Sequence, residues 1–321
     1  MNQPNNFREN RTIMKKVLIT GAAGYIGSEL IDYLLKRDYE VVALDNLMYK
    51  KTSLLRYASD SRFSFIKGDV RDRELLKKLM SDVDVIIPLA ALVGFPLCDK
   101  DPEGAVAINY EANKFIAENK RPNQKVVYPC TNSGYGTNEG VCTEESPLRP
   151  ISLYGKTKVQ AEEAYKNVAN HVTFRLATVF GPAARMRTDL LVNNFVLRTL
   201  REKLIVLYEC EFMRNYVHIH DVCRAFMFVL ENWEDCKNET YNVGNDSLNM
   251  NKLELAEKIK EHLPLEIIKA EFTTDPDVRD YEVSSQKIYD KGFECKYDLD
   301  DGVKQLINAY SIIEEPWYAN Y

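Results

Sequence analysis

Long apolar runs are missing from this 321-residue sequence. Its main hydrophobic stretch, residues 84–97, is too short and too interrupted to span a bilayer. The first ten residues, MNQPNNFREN, are polar and contain no apolar segment of the kind that a secretory signal requires. We therefore predict a cytoplasmic protein without membrane spans, and a disordered extension over residues 1–13.

An excess of positive charge is missing as well. The sequence has 42 Lys and Arg residues against 48 Asp and Glu, which gives a formal net charge of −6. A surface that binds nucleic acid needs clustered Lys and Arg, so this balance argues against a nucleic-acid partner. It leaves room for a phosphorylated small molecule held by a few local arginines.

Signatures of disulfides and metal sites are also missing. The seven cysteines are scattered without a CxxC pair, which indicates reduced thiols packed as small apolar residues. His218 and His220 alternate along a predicted strand, but no third ligand accompanies them. We therefore predict no metal site and expect both histidines in the core.

What the sequence does contain is an alternation of short β-branched segments and longer amphipathic ones. This rhythm predicts an α/β fold, with a doubly wound parallel sheet covered by helices on both faces. A chain of this length can bury a large core and hold two unequal domains. The predicted strands are residues 15–20, 40–45, 63–69, 84–90, 125–130, 172–177 and 239–244.

The segment ITGAAGYIGSEL puts Gly21, Gly24 and Gly27 between the first predicted strand and the first helix. Glycine is needed where the backbone turns sharply and where helix and strand approach closely. The helix N-terminus then offers free N–H groups and a positive dipole to a pyrophosphate. Asp45 closes the second strand, where an acidic side chain binds the adenosine ribose and repels a 2′-phosphate. The pattern predicts a dinucleotide site that prefers NAD to NADP.

Two interleaved domains follow from this organisation. Residues 14–185 are predicted to form an NAD-binding Rossmann domain, to which a segment near residues 214–245 returns. Residues 186–321 are predicted to form a smaller α/β domain laid over the ends of the strands, where the substrate binds. Because no low-complexity linker separates the two, we expect them to be tightly joined.

Tyr154 and Lys158 are four residues apart in a predicted helix and therefore share one face of it. A lysine ammonium beside a phenol stabilises the phenolate and lowers the pKa of the tyrosine. Tyr154 can then take the proton of a sugar or alcohol hydroxyl while a hydride leaves for nicotinamide. We also expect Lys158 to hydrogen-bond the nicotinamide ribose.

The chain resembles the extended short-chain dehydrogenase/reductases, in the NAD-dependent epimerase/dehydratase group that acts on nucleotide sugars. The resemblance implies a catalytic trio of Thr131, Tyr154 and Lys158, with Thr131 hydrogen-bonded to the reacting sugar oxygen. It also implies a cytoplasmic homodimer joined by two helices from each subunit, or a tetramer of such dimers. Besides the glycines and the Tyr154/Lys158 pair, the matching motifs are Asp45, Asp69, LAA at 89–91, Asn109, FRLATVFGP at 174–182, RNYVHIHDV at 214–222 and RDY at 279–281.

The residues predicted to contact NAD follow the ends of the first four strands or belong to the family motifs. Asp69 and Val70 are expected at the adenine edge, and Ala90 and Ala91 let the cofactor backbone come close. The full set is Gly21, Gly24, Tyr25, Ile26, Gly27, Asp45, Asn46, Asp69, Val70, Leu89, Ala90, Ala91, Asn109, Tyr154 and Lys158.

A nucleoside diphosphate brings two negative charges into the cleft, so arginines should converge on it. The resemblance assigns Arg214 and Arg279 to the diphosphate and puts Asn193 near the phosphates. Arg185 and Arg187 are further candidates on the loop nearest the sugar, and residues 92–95 are expected to line the sugar pocket. The predicted substrate contacts are Val93, Asn132, Ser133, Thr178, Arg187, Asn193, Arg214 and Arg279.

The residues after Thr131 bear on the reaction. By the resemblance, a dehydratase carries an Asp–Glu pair there, which moves the protons needed to eliminate water. This chain has Asn132 and Ser133, and neither exchanges protons near neutral pH. The sequence therefore predicts an enzyme that oxidises a sugar, and argues against dehydration.

Two reactions remain, a net C4 oxidation and a 4-epimerisation in which the hydride returns to the other face. The runs LAALVGFPLCDKDP and RLATVFGPAARMRTDLLVNNF are similar to those of bacterial enzymes that oxidise C4 of GDP-linked heptoses for capsule polysaccharides. GDP-heptose C4 oxidation is therefore our first hypothesis, and a UDP- or GDP-sugar 4-epimerase is the second. A sensor that binds NAD without turnover is disfavoured, because Tyr154 and Lys158 are both present.

Overall fold

The computed structural model describes residues 15–270, 279–313 and 320; the predicted extension at residues 1–13 lies outside the described residues. Hydrophobic, β-branched segments form its strands, as expected because such side chains pack well on the pleated surface of a sheet. In chain order the strands are β1 (Lys16–Thr20), β2 (Glu40–Asp45), β3 (Phe63–Lys67), β4 (Val85–Pro88), β5 (Lys125–Thr131), β6 (Thr137–Cys142), β7 (His171–Leu176), β8 (Thr178–Phe180), β9 (Leu204–Leu207), β10 (Arg214–His218), β11 (Glu239–Val243), β12 (Asn245–Met250), β13 (Glu266–Lys269) and β14 (Asp280–Val283).

Amphipathic segments between the strands form the helices. Several begin at a side-chain cap, as α6 does where the Ser152 hydroxyl accepts the N–H of Gly155. A single turn of π-helix, Val106–Glu111, joins two of them. The helices are α1 (Tyr25–Leu35), α2 (Arg73–Met80), α3 (Phe95–Lys100), α4 (Pro102–Ala105), α5 (Ala112–Asn119), α6 (Leu153–Lys166), α7 (Leu191–Glu202), α8 (Ile219–Glu231), α9 (Trp233–Cys236), α10 (Lys252–Lys260), α11 (Gln286–Tyr289) and α12 (Leu299–Ile312).

Seven of the strands form one parallel sheet, and they are the seven that the sequence predicts. Their spatial order is β11-β7-β5-β4-β1-β2-β3. The direction of winding reverses between β1 and β4, and in such sheets a crevice opens at that point outside the carboxyl ends of the strands. The predicted doubly wound parallel sheet is therefore confirmed, and its geometry fixes where a ligand cleft should lie.

Both faces of this sheet are buried, which explains why its strands have nearly continuous hydrophobic sequences. In β1, Val17 and Ile19 enter one apolar cluster while Leu18 enters the other. The same alternation holds in β4, where Val85 and Ile87 enter the first cluster and Ile86 enters the second. Side chains at successive positions of a strand point to opposite faces, so one short strand supplies both cores.

The strands β6 and β8 and most strands after β8 form three smaller sheets, and a third apolar cluster lies around α7, α10 and α12. Of the region 214–245 that was expected to return to the central sheet, only β11 does so, pairing with β7. The strand β10 instead pairs with β8 and β12 in a separate three-stranded sheet. The predicted division into two domains stays a prediction, but the chain does cross between the two regions as expected.

All seven cysteines are free thiols, and six of them are buried. His218 is fully buried, stacks on Tyr297 with 4.5 Å between ring centroids, and hydrogen-bonds Gln305 through Nε2. Burial lowers the pKa of His218 to about 3, so it is neutral in the core. Across the described ranges, each helix is too short or too polar to serve as a membrane span.

Candidate active site

A cleft of about 700 Å³ opens at the carboxyl ends of the central strands. It runs from the loop after β1, past the ends of β2, β4 and β5, to the small sheets. The structure therefore brings most of the predicted site residues together. Those that line it are Gly21, Gly24, Tyr25, Ile26, Gly27, Asp45, Asn46, Asp69, Val70, Leu89, Ala90, Ala91, Val93, Thr131, Ser133, Tyr154, Lys158, Thr178, Arg187, Arg214 and Arg279.

The glycine-rich turn forms one wall of the cleft. Gly21 has a φ of +66°, and a Cβ atom there would lie 2.6 Å from the backbone nitrogen of Ala90. A Cβ on Gly27 would lie 2.6 Å from the carbonyl oxygen of Ala22, so helix α1 packs directly on the turn. Gly24 is the N-cap of α1 and lines the cleft. The turn thus exposes a helix N-terminus to the cleft, the arrangement that binds a pyrophosphate.

Replacing Gly21 by alanine is expected to weaken NAD binding at least about tenfold, because the backbone of Ala90 must move away from the new methyl group. Gly140→Ala is the matched control. Its φ is +76°, but no described atom lies within 4 Å of the added Cβ. Both variants carry the backbone strain of about 1–2 kcal/mol that a positive φ imposes on alanine. Only Gly21→Ala should lose affinity for NAD in a titration. Equal affinities would contradict this role of the turn.

Asp45 lies at the end of β2 and faces the cleft. Its carboxylate accepts the backbone N–H of Ala23 at 3.0 Å and of Leu47 at 2.7 Å. Burial raises its pKa, while these two hydrogen bonds and the positive charge of Arg185 act against that rise. A carboxylate has about four acceptor positions, so Asp45 can brace both loops and still accept ribose hydroxyls.

Asp69 follows β3 in the same wall and is paired with Arg71 through two hydrogen bonds of 2.9 and 2.8 Å. It also accepts a hydrogen bond from Nδ2 of Asn46 at 3.2 Å. The hydrogen bond from Arg71 holds the pKa of Asp69 down at about 2. Asp69 is therefore a fixed anion at the cofactor side of the cleft.

The predicted trio meets where β5 ends against α6. Thr131 is the last residue of β5, and Tyr154 and Lys158 lie on the first turns of α6. The Lys158 side chain is only 3% exposed, with Nζ 4.3 Å from the centroid of the Tyr128 ring. Within the described part of the chain Nζ has no hydrogen-bond acceptor, so its N–H donors remain for a ligand in the cleft.

The pKa values of the reactive pair differ from the expectation. Burial raises the pKa of Tyr154, aided by the nearby thiols of Cys130 and Cys98, while Arg187 and a hydrogen bond from Thr131 oppose the rise. The predicted lowering of the tyrosine pKa by Lys158 is therefore wrong for this structure. Burial lowers the pKa of Lys158 itself to about 8. Both groups sit in the same low-dielectric cleft, which disfavours their charged forms.

Lys158→Met is expected to stabilise the protein at pH 7. A pKa lowered from 10.5 to about 8 means that the buried ammonium costs folding up to about 3 kcal/mol below pH 8. That cost disappears as the pH rises from 8 to 10.5, because the folded lysine then loses its proton first. Urea unfolding at pH 7 and pH 10 should give a gain for the variant at pH 7 and little difference at pH 10. A constant gain would contradict this account.

The hydroxyl of Ser133 lies beside the trio. Ser133 is in the 3₁₀ turn that follows β5, and its Oγ is 3.0 Å from Oγ1 of Thr131. The backbone N–H of Ser133 donates to the same Thr131 oxygen at 3.1 Å. Arg279 reaches this point from the other side of the cleft, where Nη1 donates to Ser133 Oγ.

Two further cations line the cleft near Arg279. Arg214 donates through Nη1 to the carbonyl of Arg279 and lies over the ring of Tyr281, with Cζ 5.6 Å from the centroid. Lys252 begins α10 and donates through Nζ to the carbonyl of Tyr208 at 3.2 Å. Sequence reasoning missed Lys252. The NKLE pattern around it signals a helix start, but not which wall that helix faces.

The arginines after β8 do not both lie where they were expected. Arg187 is buried in a bidentate ion pair with Asp189 and lines the cleft. Arg185 is 1% exposed, and its guanidinium stacks on Tyr49 at 4.6 Å and donates to Asn320. Because its positive charge acts on Asp45, Arg185 belongs to the cofactor side of the cleft and not to the sugar side.

Three predicted asparagines lie behind the cleft wall. Asn109 exchanges hydrogen bonds with the backbone of Leu92 at 2.8 and 2.9 Å, so it positions the loop after β4. Asn193 accepts the N–H of Gly181 and donates to the carbonyl of Arg187, which fixes the loop after β8. Their amides are thus used within the protein and neither residue lines the cleft, so their contact with cofactor or substrate stays a prediction. Asn194, the next residue of α7, lines the cleft instead of Asn193.

Asn132 is the third. Its side chain is 1% exposed and does not line the cleft, so the predicted sugar contact is not seen. Both amide atoms are buried without a hydrogen-bond partner among the described residues. An unpartnered buried amide is unfavourable for folding, and we have no physical account of why this chain keeps it.

NAD fits the observed wall of the cleft. The glycine turn leaves no room for side chains, the helix N-terminus faces inward, and Asp45 keeps free acceptor positions. When bound, NAD supplies the nicotinamide ring that accepts a hydride. The residues that would hold it are the glycine turn, Asp45 and Asp69 at the adenosine side, and Lys158 at the reactive side.

Comparison with known proteins agrees with this geometry. A family model described as the NAD dependent epimerase/dehydratase family matches residues 17–244. The low-salt glycan biosynthesis protein Agl12 of Haloferax volcanii is 30% identical, over 92% of this chain and 98% of that protein. The UDP-glucose epimerase YtcB of Bacillus subtilis, described as uncharacterized, is 31% identical over 71% of this chain and 76% of that protein.

Solved structures give the same result. The dTDP-glucose 4,6-dehydratase of Bacillus anthracis, in complex with NAD, is 26% identical with a TM-score of 0.81 over 94% of this chain and 98% of that one. The UDP-glucuronic acid 4-epimerase of Bacillus cereus, in complex with UDP-glucuronic acid and NAD, is 26% identical with a TM-score of 0.81 over 93% of this chain and 100% of that one. The predicted NAD cofactor is confirmed, and the chain belongs to the NAD-dependent epimerase/dehydratase family of enzymes.

Proposed function

We propose that the protein oxidises the C4 hydroxyl of a nucleotide-diphospho-sugar, with GDP-heptose as the substrate, and gives the 4-keto sugar. One observation carries the proposal. Thr131, Tyr154 and Lys158 meet in the cleft, and the two residues after Thr131 have no acidic side chain. Such a site can remove a hydride and a proton from a sugar alcohol but has no group beside Thr131 to eliminate water.

Each residue has a distinct part in this reaction. Tyr154 takes the proton of the C4 hydroxyl, and the Lys158 ammonium binds the nicotinamide ribose. The hydroxyl of Thr131 holds the reacting oxygen. Bound NAD would supply the acceptor for the hydride that leaves C4. Burial of Tyr154 and Lys158 keeps water from the reacting atoms and strengthens each charge interaction among them.

Other carboxylates of the cleft do not supply the missing acid. Among the described residues that line it, the carboxylates are Asp45, Asp69 and Asp189. Asp45 is bound by backbone N–H groups, Asp69 by Arg71 and Asp189 by Arg187. Each is therefore held in place as an anion or brace, which supports oxidation over dehydration.

The cations near Ser133 support a diphosphate-linked substrate. Arg214, Arg279 and Lys252 reach the same end of the cleft, beyond the trio. Arginine binds phosphate oxygens through paired N–H donors, and lysine adds a point charge. We propose that these three hold the diphosphate, with Arg187 and Asn194 closer to the loop after β8, and that Val93 and Thr178 line the sugar pocket.

A 4-epimerase is the alternative, because overall similarity to solved structures does not separate the reactions of this family. The B. cereus UDP-glucuronic acid 4-epimerase has the same identity and TM-score to this chain as the dehydratase, 26% and 0.81. Overall similarity therefore favours neither reaction, and an epimerase uses the same proton and hydride transfer. The epimerase reaction differs only in that the keto sugar rotates in the cleft, so that the hydride returns to its other face.

Mass spectrometry of GDP-heptose after incubation with the protein and NAD tests the proposal, with UDP-sugars as parallel substrates. Loss of two hydrogens from the sugar is the expected result. An unchanged mass with altered NMR couplings would instead establish an epimerase. Loss of water would overturn both, because it requires the acid that the site lacks.

We propose two further features that the family resemblance implies. The chain assembles as a homodimer through two helices from each subunit, or as a tetramer of such dimers. Residues 14–185, with the returning strand β11, bind the cofactor, and residues 186–321 bind the nucleotide sugar. Light scattering after size-exclusion chromatography tests the assembly, and a monomeric mass would refute it.

A further inference from the structure

The Ser133 hydroxyl lies between two parts of the cleft that have different tasks. On one side Oγ is 3.0 Å from Oγ1 of Thr131, which belongs to the reactive trio. On the other side it accepts an N–H of Arg279, one of the cations at the diphosphate end. Ser133 is itself 4% exposed, so water competes little for these contacts.

The number of donors and acceptors on each of these groups limits how they can hydrogen-bond to one another. A serine hydroxyl has one donor and two acceptor positions, and here Arg279 and Thr131 both donate to Oγ. Thr131 in turn accepts the backbone N–H of Ser133, so both the hydroxyl and the backbone of Ser133 hold its side chain. A guanidinium has five N–H donors, so Arg279 can keep its bond to Ser133 while other donors bind phosphate.

We propose that Ser133 is a positioning residue that couples the diphosphate site to the reactive trio, through the contacts Arg279–Ser133–Thr131. The inference rests on the proposed function, because it requires a substrate with a phosphate group at one end and a reacting hydroxyl at the other. When Arg279 binds the phosphate, Ser133 fixes the position of the Thr131 side-chain oxygen and hence that of the reacting sugar hydroxyl beside it. Misplacement of that oxygen lowers the rate of proton removal by Tyr154.

A double-mutant cycle tests the coupling. Ser133→Ala is expected to lower kcat about tenfold with little change in KM, since one charge-assisted hydrogen bond is lost. Arg279→Met should raise KM strongly and also lower kcat about tenfold. In the double variant kcat should match either single variant, because both remove the same link. Multiplied losses of about a hundredfold would overturn the proposal.

Two controls separate coupling from general damage to the cleft. Ser133→Cys keeps the volume but has a weak acceptor, so it should resemble Ser133→Ala in kcat. Lys252→Met removes a cleft cation whose Nζ donates to the carbonyl of Tyr208. Its effect should multiply with that of Ser133→Ala. If the effects of Lys252→Met and Ser133→Ala on kcat were as non-additive as those of Arg279→Met and Ser133→Ala, the specific contact would also be overturned.

The test does not depend on the identity of the sugar. The rates are measured with the nucleotide sugar that the wild-type protein converts, so failure of GDP-heptose alone counts against the proposed function and not against the coupling. A calorimetric titration with GDP and NAD needs no turnover. Ser133→Ala should weaken GDP binding about threefold when Arg279 is present and not in the Arg279→Met background. An additive binding cycle would refute the contact for any substrate.

Discussion

Tyr154→Phe is expected to lower turnover by a factor on the order of 10³, the usual contribution of a positioned acid or base. The variant lacks a single oxygen, the one that takes the proton of the sugar hydroxyl. NAD affinity should stay unchanged, because the cofactor cradle around Gly21 and Asp45 is intact. Single-turnover formation of NADH at 340 nm gives the rate, and a fluorescence titration gives the affinity.

Tyr165→Phe is the matched control on the same helix. Its hydroxyl is buried and donates to Asn113 at 3.0 Å, behind the wall of the cleft. This variant loses one buried hydrogen bond, worth about 1 kcal/mol of stability, but should keep its rate within a factor of about two. Turnover by Tyr154→Phe close to that of Tyr165→Phe would show that another group removes the proton.

Arg175→Met is expected to destabilise the protein by about 3 kcal/mol, because the buried charge of Glu162 then keeps only the partly exposed Lys166 ammonium, 3.1 Å away. Arg175 on β7 and Glu162 on α6 are 3% and 1% exposed and are joined by a contact of 2.7 Å. Arg175 also donates to the hydroxyl of Tyr135 and the carbonyl of Glu144, each at 2.9 Å. Urea unfolding monitored by circular dichroism measures the loss.

The pair matters for the site because Arg175 lies beside Cys130, one residue before Thr131 of the proposed reactive trio. Removing both charges, in Glu162→Met/Arg175→Met, should cost less than removing one, since no charge stays buried alone. Arg198→Met is the surface control. Its ion pair with Glu202 is half exposed and should contribute less than about 0.5 kcal/mol. Equal losses for Arg175→Met and Arg198→Met would refute the role of the buried pair.

The central sheet was predictable because its signals are local. All the strands except the partly exposed edge strand β3 are short runs whose residues are mostly buried, so these sequences stand out against the polar segments around them. The glycine turn was predictable for a similar reason, since a positive φ and a close helix both restrict the residue type. Asp45 was predictable because it is the last residue of β2, a strand that is evident from the sequence.

The misplaced site residues depend on orientations that the sequence does not specify. Adjacent helix positions point roughly 100° apart, so a shift of one residue on α7 separates Asn194 in the cleft from Asn193 behind it. The same limit applies to Lys252. Its helix is evident from the sequence, but tertiary packing decides which way the Lys252 side chain points. The raised pKa of Tyr154 likewise arises from burial in the assembled cleft, which no spacing between Tyr154 and Lys158 encodes.

The return of β11 to the central sheet has a consequence for synthesis on the ribosome. The strand that completes the sheet beside β7 is made only after β8, α7, β9, β10 and α8. Until residues 239–243 emerge, β7 is an open edge, and such edges pair readily with other chains. The central sheet of the nascent protein therefore cannot close before residues 186–238 of the second region have been translated. Early folding intermediates of this chain are the ones that need protection from aggregation.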